Sequence, residues 1–540
     1  MLNIRVVSVS IFILALLVLP VGAAQPVQVI SEDAHGASAP LRTLPYAPPA
    51  FHTLLPRPRG PIVNAPTVDE DDPVTQEAAG PMVATTPGLN VLGLGTGFVG
   101  PNGSFSVTFE PPDTNAAVGA TQVVENVNLS MAVFDKATGS VLAGPTSIPA
   151  LWAGVDSTCS LGAQSDPVVL YDQMAGRWVI EIIAGKAGSF LPPNKFCMAV
   201  STTGDATGTY TAYAFTDSTG LNDYSKVGIW PDAYYLSTRQ FNARQTAYLG
   251  PKACAADRTQ MIAGAAATIQ CFQVSSTSAD GMLPSNLDGA TAPPAGSPNY
   301  FLLIPSSAAG TTSLQMFRFH VDFTTPTNST FTGPVTVTVA KFTEAGSFGG
   351  FVPQLGTTNK LDGLGFTLMH RLAYRNFPSA TPPHESLVVT QNVKVGGTTP
   401  RYAPRWYEIR SPGTTPVVFQ QGTYSPDATY RWAASIGMDK TGNIALGYSA
   451  SSSAIHPQIR YTGRRPADPA GKMEAEATIL SGNGSQTSGG TQPYRWGDYS
   501  SMAIDPADDC TFWYAQEYSP ANGGFNWATH LFSFKFTSCH

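Results

Sequence analysis

Short apolar or alternating runs, separated by turn-forming clusters, recur along the chain from about residue 93 to its end. Such runs are typical of buried and half-buried β-strands, whose side chains point alternately to the two faces of a sheet. The clearest predicted strands are residues 122–127, 177–183, 233–237, 387–390, 444–448 and 512–516. Residues 258–267 are the best short helical candidate. The pattern therefore predicts an all-β domain.

The predicted strands belong to an internal repeat. Its segments share an aspartate near the start, a run of small or β-branched residues, a turn and an aromatic-rich strand, as residues 223–232 and 498–506 illustrate. The apolar anchors of the repeats lie 50 to 75 residues apart, at Val118, Val168, Val227, Leu302, Leu368, Ile436 and Met502. Repeats that bury their sheet faces against neighbours must close into a ring to remove their edges.

This repetition predicts a seven-bladed β-propeller with four-stranded blades over residues 93–540. The average repeat of about 64 residues is long enough for four strands and their loops. Six or eight blades, or a large β-sandwich, are the alternatives. We expect the last strand, residues 530–536, to close the ring by pairing with residues 104–109.

The first 92 residues have a different texture. Arg5, the apolar run 6–18 and the small residues that end at Ala24 predict a secretory signal peptide over residues 1–24. Residues 25–92 are rich in proline and carry an acidic run at 69–72, with no sustained period. We expect this part to be an extended or disordered leader, either a propeptide or a strap over the domain.

The six cysteines agree with export. None forms a Cys-x-x-Cys pair, which argues against zinc and thioredoxin-type sites. An even number of cysteines in an oxidising compartment favours disulfides, although six cysteines allow 15 pairings. Proximity along the chain favours Cys159–Cys197, Cys254–Cys271 and Cys510–Cys539, with free buried thiols as the alternative. We expect a protein that is secreted, periplasmic or displayed on the cell surface.

Charge excludes two classes of partner. Only 12% of the residues are charged and the net charge is −7, with neither a basic stripe nor a polybasic cluster. Nucleic acid and anionic lipid are therefore poor partners. We expect a monomer without a membrane span after signal removal. Residues 95–100 match a dinucleotide fingerprint by letter, but no strand precedes them and no helix follows, so a loop is expected.

The aspartates of the repeat are the first candidate site. The innermost strand of a propeller blade lines the central channel, so residues at the strand starts would converge on one mouth of it. The aspartates concerned are Asp113, Asp166, Asp223, Asp362 and Asp498. Converging carboxylates bind cations, raise one another's pKa or accept hydrogen bonds from sugar hydroxyls, and structural Ca²⁺ is one such cation. The alternative is that each aspartate caps a turn of its own blade.

Basic and aromatic residues follow these aspartates closely. Arginine offers a fixed fork for carboxylates or sulfates, and tryptophan offers a flat face for a sugar ring. The candidates for ligand binding are Arg371, Arg431, Trp432, Arg495 and Trp496. The alternative is that these arginines pair with neighbouring aspartates and hold blades together.

Four residues are candidates for acid–base catalysis: His370, Glu385, Asp498 and Tyr499. Histidine is the natural proton carrier near neutral pH, and Glu385 follows His384 in a predicted loop. A solvated turn is the alternative for that pair. A glycosidase would need two carboxylates at a set separation, which sequence does not supply.

The repeats resemble secreted bacterial propellers of sialidase-like architecture. The shared elements are residues 166–172 with Arg177 and Trp178, residues 223–232, and residues 495–500. The resemblance covers about residues 93–540 and implies the fold and an extracellular setting, without an assigned reaction. The aspartate box of true sialidases is absent, so no catalytic residue is transferred from them.

The sequence is compatible with two functions. The first is a propeller that binds an extracellular polysaccharide or glycoconjugate at the polar mouth of its channel and, as an enzyme, would be a glycoside hydrolase or polysaccharide lyase. The second is a non-catalytic surface, adhesion or protein-binding propeller. A redox propeller with copper or a quinone is disfavoured because the eight histidines are scattered.

Overall fold

The computed structural model describes residues 27–48, 72–275, 279–305, 310–346, 350–365, 367–397, 400–488 and 494–540. The predicted signal peptide lies outside the described residues. The described chain is mostly β, which confirms the all-β part of the sequence prediction. Two short α-helices, α1 (Ser157–Leu161) and α2 (Arg258–Ala263), and 3-10 helices at Leu41–Thr43, Ile148–Trp152 and Pro326–Asn328 complete it. In the parts of the chain described here, no helix is long and apolar enough to cross a bilayer.

The first ten strands include one complete four-stranded sheet. They are β1 (Gln28–Ser31), β2 (Ala34–Ala37), β3 (Thr75–Gln76), β4 (Thr85–Gly95), β5 (Val99–Gly100), β6 (Gly103–Ser104), β7 (Asn115–Val118), β8 (Gln122–Val127), β9 (Ser130–Asp135) and β10 (Val141–Ser147). Strands β7 to β10 form an antiparallel sheet in chain order, whereas β5 and β6 form a small hairpin.

The next eight strands form two five-stranded sheets. They are β11 (Ala163–Asp172), β12 (Arg177–Gly185), β13 (Asn194–Ser201), β14 (Tyr210–Asp217), β15 (Leu221–Ile229), β16 (Tyr234–Phe241), β17 (Tyr248–Ala256) and β18 (Thr268–Gln273). Strand β2 adds to the outer edge of β11–β14, and β1 adds to the outer edge of β15–β18.

A nine-stranded sheet follows, made of two runs of four that meet through a parallel β19–β25 pairing. Strand β3 pairs with β28 at its edge, and β23 and β24 form a separate pair. The new strands are β19 (Ala279–Leu287), β20 (Asn299–Pro305), β21 (Thr311–His320), β22 (Thr330–Glu344), β23 (Gly350–Val352), β24 (Leu361–Asp362), β25 (Leu368–Phe377), β26 (His384–Val395), β27 (Arg401–Arg410) and β28 (Val417–Tyr424).

The last strands form two four-stranded sheets, β29–β32 and β33–β35 with β4. They are β29 (Tyr430–Met438), β30 (Ile444–Ser452), β31 (Ile455–Arg464), β32 (Ala477–Leu480), β33 (Ser501–Ile504), β34 (Thr511–Tyr518) and β35 (Ala528–Phe536).

The first strand of each run packs on the first strand of the next. The order of contact is β7, β11, β15, β19, β25, β29 and β33, and β33 contacts β7 again. We call these seven strands the inner strands; they form a closed ring. Large apolar clusters lie between neighbouring sheets, for example Val168 and Phe196 of one sheet against Val227 and Leu236 of the next.

The predicted partner of the last strand is wrong. Strand β35 pairs with β4, most of whose residues lie within the segment predicted as leader, and not with residues 104–109. Strand β4 is the outer strand of its sheet and most of its residues are at least partly exposed, so its sequence needs no strong apolar alternation. Phe105 and Phe109 instead pack against Trp527.

The three predicted disulfides are confirmed: Cys159–Cys197, Cys254–Cys271 and Cys510–Cys539. Cys254 and Cys271 are direct partners across β17 and β18. Cys159 lies on α1 and is joined to β13, and Cys539 joins the C-terminus to the residue before β34.

Candidate functional site

Three of the repeat aspartates lie at or just before inner strands, where the backbone leaves regular geometry. Asp113 (φ 52°) and Asp166 (φ 56°) are left-handed themselves, and Tyr224 (φ 56°) follows Asp223. The register of β11 and of β15 shifts at these residues. Aspartate tolerates the left-handed region better than most residues, and such bulges change the direction in which side chains point.

Two of these carboxylates tie neighbouring repeats together. Asp113 accepts hydrogen bonds from the backbone N–H of Asp498 (2.8 Å) and from the Asn128 amide (2.9 Å). Asp166 accepts one from the backbone N–H of Tyr224 (2.8 Å), and its own N–H donates to Asn128 (3.2 Å). The bonds of Asp113 to Asp498 and of Asp166 to Tyr224 run between repeats, unlike a turn cap within one blade.

The other repeat aspartates pair with arginine. Asp223 lies 3.0 Å from Arg239, which also forms a two-pronged contact with Asp280. Arg495 donates to Asp498 at 2.8 Å, and its Nε lies 3.6 Å from Asp362. The ring therefore balances part of its buried negative charge internally.

A cavity of about 990 Å³ opens beside the inner strands β11 and β15. Asp113, Asp166, Asp223, Asp498 and Arg495 line it, so four of the five predicted aspartates meet on its wall. The rest of the wall is largely apolar. It includes Pro45, Pro48, Phe109, Pro111, Leu129, Pro149, Leu161, Ile183, Phe190 and Leu221.

Helix α1 supplies part of this wall through Ser160 and Leu161. Asp156 caps the helix, because its side chain accepts from the backbone N–H groups of Thr158 and Cys159 (both 2.9 Å). The cap fixes the direction in which the chain enters the wall.

We expect Asp156→Ala to lower the free energy of unfolding by about 1 to 2 kcal/mol, because two helix N–H groups lose their acceptor. Asp156→Asn keeps an acceptor oxygen and should cost less than half as much. Urea unfolding of both variants measures the difference. Equal losses would show that the ion pair of Asp156 with Lys195, and not the cap, is the main contribution.

Glu110, a cavity residue, has no place among the sequence candidates. Its side chain is 3% exposed, and Oε1 accepts from the backbone N–H of Phe525 at 2.6 Å. No described residue hydrogen-bonds to its buried Oε2. Burial raises the pKa of this carboxyl, and the Phe525 N–H and Arg495 oppose the rise. The only sequence signal is its place three residues before Asp113.

Trp432 and Trp496 are buried, not presented to the cavity. Their rings lie 5.5 Å apart, and Trp496 donates to Ser449 at 3.0 Å. Both belong to a cluster between sheets, together with Tyr402 and Met369. Their aromatic faces are therefore used in packing.

Arg371 and Arg431 also lie away from the cavity. Arg371 forms a two-pronged pair with Asp288 (2.6 and 2.7 Å) beside a small second cavity of about 30 Å³. Arg431 pairs with Glu476 (2.8 Å) and Asp427 (3.0 Å). These arginines pair with acidic residues within the protein, which was the alternative considered from the sequence.

His370 and Tyr499 lie within the ring and are buried. Tyr499 donates to the carbonyl of Pro167 at 3.0 Å, and its ring lies 4.1 Å from the Lys226 ammonium. Burial, Lys226 and Arg371 hold the pKa of His370 well below its ordinary value. Burial lowers the pKa of Lys226 to about 8, although Asp166 and other carboxylates oppose the change. Neither His370 nor Tyr499 lines the cavity.

Glu385 is remote from these residues. It lies at the start of β26, where it accepts hydrogen bonds from Tyr374 (2.6 Å) and Tyr300 (3.4 Å). It is absent from the cavity wall. Within the described ranges, no three His, Cys, Asp or Glu residues are grouped so as to hold a metal ion, and structural Ca²⁺ stays a prediction.

No protein-family model and no curated protein matches the chain. Solved structures with some likeness include an exo-β-1,3-galactanase from Clostridium thermocellum, with TM-score 0.32 and 11% identity over 71% of this chain and 80% of that one. A Trypanosoma rangeli sialidase gives 0.31 and 10% over 79% and 58%. An endo-1,5-α-L-arabinanase from Thermotoga petrophila gives 0.28 and 11% over 78% and 97%. TM-scores of this size establish neither a shared fold nor a shared function.

Proposed function

We propose that this protein is a secreted seven-bladed β-propeller that binds an extracellular glycan in the cavity beside its inner strands. The closed order of inner strands and the runs of four antiparallel strands support the blade count. The predicted signal peptide and three disulfides support export.

One observation carries the binding proposal: four repeat aspartates and Arg495 meet on the wall of one ligand-sized cavity. A volume of about 990 Å³ fits a sugar of a few units. Carboxylate oxygens accept hydrogen bonds from hydroxyl groups, and the guanidinium donates them. The apolar walls offer contact to the C–H faces of the rings.

A hydrolytic reaction needs two carboxyl groups in different states, one to donate a proton and one to activate water or attack. The cavity holds Glu110, whose pKa burial raises, and Asp498, which is ion-paired with Arg495. These residues make glycoside hydrolysis the reaction class to test first, with Glu110 as the proton donor only for glycans that place no charged amine beside it. His370, Tyr499 and Glu385 lie outside the cavity and are not part of this proposal.

Calorimetric titration with neutral and acidic oligosaccharides tests the proposal. We expect Asp498→Asn and Asp223→Asn to weaken binding about 10- to 50-fold, since each removes an ionised acceptor from the wall. Glu385→Gln, a carboxyl change outside the cavity, should bind like the unmodified protein. Thermal unfolding of each variant checks that it is folded.

Reducing-sugar and unsaturated-product assays on the bound glycans separate hydrolysis, elimination and binding without turnover. The absence of binding across the whole panel by the unmodified protein would overturn the proposal and favour a non-catalytic surface or protein-binding role.

A further inference from the structure

The cavity wall carries a strong excess of acidic side chains. Five carboxyl groups line it against one guanidinium among the residues described: Glu110, Asp113, Asp166, Asp223 and Asp498 face Arg495. Arg495 is itself shared between Asp498 and Asp362.

Two further cations lie behind the wall and do not cancel the excess. Arg239 pairs with Asp223 but also with Asp280. Lys226 is attracted by Asp166 and Asp113, which both line the wall. Even with both of these cations counted beside Arg495, the five carboxyl groups of the wall outnumber the positive charges.

Glu110 is the acidic group whose hydrogen-bonding capacity is least used. Its Oε2 is buried and accepts no hydrogen bond from any described residue, whereas Oε1 accepts from Phe525. Leaving a buried carboxyl oxygen unpaired costs stability, so a ligand donor would recover free energy if the Glu110 side chain turns this oxygen toward the cavity on binding.

The apolar walls make such a donor more effective when it is charged. Pro111, Phe109 and Leu129 flank this end of the cavity and lower its local dielectric constant. An ion pair formed there is stronger than one on an open surface. A neutral hydroxyl gains less from the same surroundings, because charge-assisted hydrogen bonds are about twice as strong as neutral ones.

We infer that the ligand of this cavity carries a protonated amine, which binds next to Glu110. As a statement about an amino sugar, the inference rests on the proposed glycan-binding function. An amine on an apolar, non-sugar body has the same chemistry at its head group, so both sources need to be compared.

Three trisaccharides with one β-1,4-linked backbone isolate the amine: those of glucosamine, N-acetylglucosamine and glucose. Phenylethylamine is the non-sugar probe. Titration at pH 6 and low salt should give at least tenfold tighter binding of the glucosamine trimer than of the other two. Raising the salt concentration should weaken the binding of the amine-bearing ligands alone, because Coulombic attraction is screened.

Glu110→Gln should remove most of this preference, and Glu110→Asp should retain part of it. Glu385→Gln is the matched control and should leave it unchanged. A preference that survives in Glu110→Gln, or equal binding of the three trimers, would overturn the inference while the glycan proposal stands. Binding of phenylethylamine alone would uphold the amine and overturn the glycan proposal. Binding of no probe would overturn both.

Discussion

Replacing Asp72 with alanine is expected to destabilise the protein by about 3 to 5 kcal/mol, because it leaves a buried guanidinium without its counter-charge. Asp72 accepts two hydrogen bonds from Arg405 (2.8 and 2.7 Å) and one from Thr423 (2.6 Å). The side chains of Arg405 and Asp72 are 0% and 1% exposed. Urea unfolding followed by tryptophan fluorescence measures the loss.

A surface ion pair provides the comparison. Lys535 and Asp508 lie 3.3 Å apart with side chains that are each 36% exposed, so Lys535→Ala should cost no more than about 1 kcal/mol. The double change Asp72→Ala with Arg405→Met removes both charges and should recover part of the loss. A loss below about 1 kcal/mol for Asp72→Ala alone would show that the N-terminal segment contributes little to the folded domain.

Asp72 lies in a segment whose structure the sequence pattern does not predict. It belongs to an acidic, proline-rich stretch that predicts a leader, yet β3 follows it and pairs with β28, and β4 supplies the outer strand beside β35. Edge strands are short or half-exposed, so they lack the apolar period that reveals a buried strand. Only contacts with residues several hundred positions away define them.

At the cavity, the sequence predicts which aspartates meet but not which partners the arginines have. The repeat spacing placed Asp113, Asp166, Asp223 and Asp498 together, because equivalent positions of neighbouring repeats meet around a ring. The roles of the arginines depended on cross-sheet partners, such as Asp288 for Arg371, 83 residues away. No periodicity encodes such a pair.

The protein is expected to lose stability as the pH rises from about 4.5 to about 7, and Glu125 is one cause that a substitution can isolate. This carboxyl is fully buried on β8, and burial raises its pKa from 4.5 to about 7. Hydrogen bonds from the Thr529 hydroxyl and the Leu94 N–H to Glu125 oppose this rise, but burial outweighs them. The folded state therefore keeps a proton that the unfolded chain releases.

The direction of the pH dependence follows from the number of protons that the folded and unfolded states bind. Between these two pKa values the folded state binds more protons than the unfolded one, so the free energy of unfolding falls as pH rises. The full effect of a shift of this size is roughly 3 kcal/mol, present below pH 4.5 and lost by about pH 7. Glutamine offers the same geometry without titrating: its oxygen can accept from the Leu94 N–H and its amide can donate to Thr529.

Glu125→Gln should thus match the unmodified protein at pH 4.5 and exceed it by up to about 3 kcal/mol at pH 8. Taking the difference between the two proteins cancels other buried carboxyls, such as Glu181, whose pKa burial raises in the same direction. A pH profile of Glu125→Gln that runs parallel to that of the unmodified protein would show that Glu125 is ionised in the fold, which would require a cation beside it.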